Sequence, residues 1–369
     1  MKLRENIYTV GVTDAEIRSF HGYETPIGTT YNAFLVVDEK ITLIDTVKGA
    51  FAEELLANIK AVIGDRAIDY IICNHVEPDH SGALPLVVGA YPSAVVYGTA
   101  NCEKELKAYY PELAFDFVQV KNQDNLNIGE KTFTFIPMPM VHWPDSMSTY
   151  LDTDKILFSN DAFGQHIGTG EVMDCELESQ WLLDRAGDYY ANIILPFATP
   201  VKRLMAGIGE LAVDMICPSH GVILAESIPQ VLEAYARWCE NVTDEKKVVI
   251  VYDTMWGTTQ KLALQLGDEY SQKGYDVECI NLSEKHHSYA MAQILEAKYV
   301  FVGSPTLNNQ MMPSVAAFLC YLRGLKPKDR IGRAFGSYGW SGESIGAVQA
   351  GLEACGFEML EPVKAQWNI

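Results

Sequence analysis

The stretch Cys73-Asn74-His75-Val76-Glu77-Pro78-Asp79-His80 decides how the first two thirds of this chain are read. It closes an apolar run, Asp69-Tyr70-Ile71-Ile72-Cys73, that reads as a short buried strand. Within six residues it places four metal-binding side chains: His75, Glu77, Asp79 and His80. Alternate residues of an extended segment point the same way. His75, Glu77 and Asp79 are therefore expected to converge from one loop, with His80 alongside.

Working outward, the chain repeats one pattern, a strand followed by a loop that carries a ligand type. Residues 31–37 and 40–45 form a hairpin around Asp38-Glu39, and 49–63 have apolar positions at helical spacing. A helix is expected over 82–89. The strands 115–120 and 132–137 lead to Met140-Val141-His142-Trp143-Pro144-Asp145, which carries a His. A hairpin over 148–159 ends in Asn160-Asp161. A mostly helical stretch spans 176–207, with interruptions expected at Pro196 and Pro200. The strand 213–217 leads to Pro218-Ser219-His220. Hairpins and helices outside, with ligands where strands end, fit an αββα sandwich.

The pattern changes at Thr243-Asp244-Glu245-Lys246-Lys247. Beyond it, strands at 248–252, 277–281, 299–303, 331–336 and 358–364 alternate with helices. This is a doubly wound parallel sheet of the α/β class. The expected domains are therefore 1–245 and 246–369, and a length of 369 residues agrees with two.

Composition removes other classes. Lys and Arg number 28 against 48 Asp and Glu, a formal charge of −20, so no surface gathers the positive charge that nucleic acid or an anionic membrane needs. No apolar run reaches the roughly 18–20 residues of a membrane span. The eight cysteines are widely spaced, with no CxxC, which argues against a zinc ribbon, a rubredoxin-type site or a dithiol motif. Buried thiols in a reducing cytoplasm are the expectation.

The ligand loops together supply His75, Glu77, Asp79, His80, His142, Asp161 and His220. Four imidazoles and three carboxylates suit two divalent metals, each with two His and one terminal carboxylate. Asp161 stands alone at a strand end and is the expected bridge. Three carboxylates and a bridging hydroxide balance the charge of two such ions.

His75-x-Glu77-x-Asp79-His80, with His142, Asp161 and His220 downstream, resembles the metallo-β-lactamase superfamily. Zinc hydrolases of that superfamily usually carry His where this chain has Glu77. A carboxylate there makes the site harder and moves its preference towards iron or manganese. With a flavodoxin-like half behind it, the chain resembles the flavodiiron proteins, or A-type flavoproteins, over nearly its whole length. That resemblance implies an oxo- or hydroxo-bridged di-iron site that reduces O2 to water or NO to N2O. It implies an external donor, a rubredoxin-type protein or reduced F420, and a head-to-tail homodimer or dimer of dimers. It also implies catalytic roles for His21, His166 and Tyr189 or Tyr190 beside the open coordination positions. Two other classes are a zinc hydrolase with an accessory flavodoxin domain and a non-catalytic electron-transfer or gas-sensing module.

In the second half three loops follow parallel strands, where ligands bind such sheets. The first is Thr254-Met255-Trp256-Gly257-Thr258-Thr259, a hydroxyl-rich helix start suited to the FMN phosphate. It matches neither GxxxxGK[ST] nor GxGxxG. The others carry Ser304, Pro305, Thr306 and Asn308, and Ser337, Tyr338, Gly339 and Trp340. A flavodoxin fold ends with a helix after its fifth strand, whereas this sequence stops near that strand. The expectation is a fragment or a missing last helix.

Overall fold

The computed structural model describes residues 1–367. It divides into two compact units, each described separately. The first comprises Met1–Ser19, Thr25–Ala186 and Thr199–Ala234; the second comprises Phe20–Glu24, Gly187–Ala198 and the chain from Tyr235 onward.

The first unit contains two large sheets. One has seven strands in the order Lys2–Arg4, Ile7–Thr9, Phe34–Val37, Ile41–Ile44, Tyr70–Ile72, Val95–Gly98 and Asp116–Gln119. The other has five: Asn125–Asn127, Thr132–Pro137, Met147–Leu151, Ile156–Asn160 and Met215–Pro218. The first four of these are antiparallel neighbours and the last pair is parallel. Alternating side chains from both sheets meet in one core. Phe34, Val36, Ile44 and Ile72 come from the first sheet, and Phe133, Phe135, Met147, Leu151, Ile156 and Phe158 from the second. Burial of each such side chain contributes about 1.5–3 kcal/mol. This is the expected sandwich.

Two local expectations change. The helix forecast at 82–89 starts earlier, as a turn Pro78–Ser81, and continues as Leu84–Ala90. Pro78 occupies the first helical position, where its missing N–H costs nothing. The stretch 176–207 is interrupted as a regular α-helix around Pro196, as expected, but not at Pro200. Ser179–Tyr189 passes through a π-helical Tyr190–Ile194 and a 3₁₀ turn Leu195–Phe197 into Ala198–Ile208. Pro196 and Pro200 both fall in the opening turn of a helical segment, where an N–H is not required.

The second unit is a parallel sheet in the order Asp276–Asn281, Asp244–Tyr252, Ala297–Gly303, Ile331–Tyr338, with Glu358–Met359 and Val363–Gln366 both pairing the last of these. The fifth strand of the sequence reading is thus two short strands. Its helices include Thr258–Gln272, His287–Ile294, Pro313–Leu325 and Glu343–Glu353. The hairpin Ser19–Phe20 and Tyr23–Glu24 ends on this unit: the Glu24 N–H reaches Ser288 Oγ at 3.2 Å, and the Gly22 carbonyl lies 3.2 Å from His287 Nε2. Among the described residues no helix is long and apolar enough to cross a membrane.

Candidate metal centre and cofactor cleft

Every ligand loop of the first unit leaves its sheet at one end. Asn74 fixes the two sheets there. Its carbonyl accepts the Met147 N–H at 2.9 Å, and its side-chain oxygen accepts the Thr149 hydroxyl at 2.7 Å. Its own N–H donates to Asp45 at 2.7 Å and its amide at 3.1 Å. Burial pushes Asp45 up to about 6, against the pull of His80. The opening loop therefore starts from a fixed point.

The seven side chains then fall into two groups. His75, Glu77, His142 and Asp161 converge in one, and Asp79, His80 and His220 in the other. Asp161 lies between them. Its Oδ2 is 3.5 Å from His75 Nε2 and 3.1 Å from His142 Nε2, while its Oδ1 is 3.2 Å from His80 Nε2 and 3.6 Å from His220 Nε2. Glu77 Oε2 stands 3.3 Å from His75 Nε2 and 3.2 Å from His142 Nε2. Asp79 Oδ2 stands 3.3 Å from His80 Nε2 and 3.2 Å from His220 Nε2. One expectation holds only in part. The carboxylates of Glu77 and Asp79 do converge, within 4.8 Å, but they serve different groups, because the backbone is extended only as far as Glu77 and turns helical at Pro78. The turn sends Asp79 and His80 to the second group.

The donor atoms suit metal rather than one another. Both oxygens of Asp79, both oxygens of Asp161 and both ring nitrogens of His80 are buried without a hydrogen bond. Such groups are costly unless something fills the space between them. Burial pushes the Asp161 carboxyl up, yet His80, His142 and His75 hold it well below the usual carboxylate range. Burial pulls His80 down, but Asp79 and Asp161 push it up to about 9. Metal binding displaces such protons. With four imidazoles, three carboxylates and no thiolate, the set fits iron or manganese better than zinc.

Residues outside the seven aim the imidazoles, and sequence reasoning missed them. Asp145 accepts from His75 Nδ1 at 2.9 Å and from the Val76 N–H at 2.7 Å. The Thr30 carbonyl accepts from His220 Nδ1 at 2.6 Å. Each contact leaves Nε2 facing the groups. The only advance sign of Asp145 was its place three residues after His142. Gly221 makes room beside His220. It sits at φ 83°, and a Cβ there would stand 2.4 Å from the Gln165 carbonyl.

Of the three residues given catalytic roles, His166 is buried in the first unit. Its Nδ1 is 2.7 Å from Thr29 Oγ1 and its ring centroid is 5.0 Å from that of His220. His21 is exposed at φ 52°, stacked on Phe20 at 3.9 Å, and belongs to the second unit. Tyr190 is buried in that unit, 5.0 Å from Tyr235 and 5.2 Å from Trp238 by ring centroid. Tyr189, its alternative, is buried as well.

The second unit holds a cleft of about 510 Å³ at the carboxyl end of its sheet. Its walls include Met255, Trp256, Thr258, Pro305, Thr306, Asn308, Ser337, Tyr338, Gly339 and Trp340. The four other residues named for this cofactor do not line it. Gly257 is the left-handed N-cap of Thr258–Gln272, and its N–H donates to Thr254 Oγ1 at 3.1 Å. Thr259 and Ser337 share a hydroxyl contact of 2.8 Å, and Ser304 accepts the Met312 N–H at 2.8 Å. These four shape the loops. Leu307 and Ser341, which stand in the same two loops, also line the cleft, as do Asn309 and Trp367, which escaped the sequence reading. The helix start supplies backbone N–H groups for a phosphate, and the aromatic rim suits a flat ring system, so the residues fit FMN.

Residues 29–221 match the model of the ODP family beta lactamase, and residues 250–368 match that of flavodoxin. A nitric oxide reductase of Moorella thermoacetica is 41% identical over 99% of this chain and 93% of its own length. The structure of a rubredoxin oxygen:oxidoreductase from Desulfovibrio gigas superposes with a TM-score of 0.97 at 38% identity, covering 100% of this chain and 93% of that one. That of a flavodiiron protein from Giardia intestinalis does so with 0.96 at 34% identity, covering 99% and 91%.

Proposed function

The chain belongs to the flavodiiron protein family, and from that premise we propose that it is an oxidoreductase that reduces O2 to water, NO to N2O, or both. The observation that carries this reading is Asp161, one carboxylate with an oxygen turned to each of two ligand groups. When bound, FMN supplies electrons that can be released singly, and two irons supply adjacent redox sites that also stabilise developing negative charge. Two NO molecules take up two electrons and two protons to give N2O and water. One O2 takes up four of each to give two waters.

The protein's own part is to position and to protect. His75, Glu77 and His142 would hold one iron, Asp79, His80 and His220 the other, and Asp161 both. Asp145 and the Thr30 carbonyl keep His75 and His220 in the tautomer that presents Nε2. Thr29 orients His166, which we assign to proton donation near His220. For His21 and Tyr190 the proposed catalytic role rests on the family resemblance.

The electron donor we propose is an external rubredoxin-type protein, with reduced F420 as the alternative. The family's head-to-tail dimer is proposed for this chain too. We place the protein in the cytoplasm. The described cysteines form no disulfide, and those in the cores are buried thiols, which suits a reducing compartment.

The deciding experiment is anaerobic reaction of the reduced, iron-loaded protein with each gas, counting the electrons consumed. About two electrons per N2O formed, or about four per O2 consumed, supports the reading. A zinc-containing preparation that hydrolyses esters or lactams and leaves both gases untouched would sink it.

A further inference from the structure

The cofactor cleft has a wall that lies outside the three strand loops. Trp367 follows the strand Val363–Gln366 in the left-handed region, at φ 63°. Its N–H donates to the Tyr338 carbonyl at 2.8 Å, and its carbonyl accepts the Thr258 hydroxyl at 3.1 Å. One residue is thereby tied to the loop after the fourth strand and to the start of the helix Thr258–Gln272. Its ring lies against Gly339, where a Cβ would stand 3.3 Å from Cζ3. Glycine at that position gives the indole its place.

Two consequences follow for a ligand in the cleft. The Thr258 hydroxyl has one proton, and Trp367 receives it. The backbone N–H groups of the helix start remain suited to a phosphate. The indole, by contrast, is presented to the cleft. Trp256, Trp340 and Trp367 are 91%, 81% and 66% exposed and line the same space. Large aromatic faces around one cavity favour a flat aromatic ligand over a chain-like one.

We propose that Trp367 is a third tryptophan wall of the FMN cleft, packing on the flavin ring system and acting independently of the phosphate. The inference rests on the reading of this cleft as the FMN site. Flavin-free protein is titrated with FMN and with riboflavin, which has the ring but no phosphate, and flavin fluorescence is followed. Trp367→Ala should weaken both flavins by the same factor, roughly threefold to tenfold. Trp367→Phe should restore most of the affinity for each. The thermal transition of the flavin-free second unit should be the same in both variants as in the unmodified chain, which shows that its fold is retained. Unchanged affinity for both flavins in Trp367→Ala overturns the inference, as does a loss confined to FMN. Failure of the unmodified chain to bind either flavin overturns the reading of the cleft itself.

Discussion

At His75 the imidazole is gripped from behind by Asp145, 2.9 Å from Nδ1, and that grip decides where the other nitrogen points. Asp145→Ala should therefore weaken iron retention by roughly 10–100-fold, with Asp145→Asn between the two. Competition with a chromophoric chelator measures it, and retention equal to the unmodified chain would remove Asp145 from the site's design. Glu77 is the residue that separates this donor set from a zinc hydrolase's. Glu77→His should lower iron occupancy, raise zinc occupancy and abolish gas reduction while FMN stays bound. Metal analysis beside the flavin absorbance reads all of these. The seven candidate donors that converge were legible because each is a ligand type standing where a strand ends. Asp145, Thr29 and Thr30 were not, since a polar residue that aims another is chosen by folded distance and leaves no spacing rule behind.

The elements carry the site because both sheets end at the same edge, and Asn74 is where they are fastened. It serves Asp45 with two donors and takes hydrogen bonds from Met147 and Thr149. Asn74→Ala would leave its backbone contacts in place but strip the buried Asp45 carboxylate of the amide donor and the buried Thr149 hydroxyl of its acceptor. A loss of roughly 2–4 kcal/mol is expected, read as a lower urea midpoint at constant slope. An unchanged midpoint would show that the sheets hold their edge without it. The alternation of strands and helices was readable from hydrophobic period, but the order of strands within each sheet was not, because pairing is settled by folded contacts. The turn at Pro78 was misread although its proline is visible, because alternation was carried past the residue that ends it. Pro196 did mark a change of helix type, whereas Pro200 misled, since a proline in a helix's first turn breaks nothing.

At the scale of the molecule, each unit has a core of its own. Phe133, Phe135 and Phe158 anchor one, and Val248, Ile250, Phe301 and Phe335 the other. Iron and flavin binding should therefore be separable. Chelation should lower the melting temperature of the metal unit by removing a ligand that favours its folded state, while flavin release occurs at an unchanged temperature. Calorimetry with flavin fluorescence on the same sample tests this, and a joint shift of both transitions would refute it. The change of pattern near 243–247 is plain in the sequence. That Phe20–Glu24 and Gly187–Ala198 pack with the later part of the chain is not, because a short hairpin shows which face is apolar but not what will cover it. The opening loop carries one further lesson. His75 and Glu77 face one group while Asp79 and His80, two residues on, face the other. An ancestor or a designer could not shorten that loop to discard one metal and keep the second. His142 and His220 each stand on a loop of their own, so a change at either would weaken one group and leave the other, and selective loss of one metal has to start outside the opening loop.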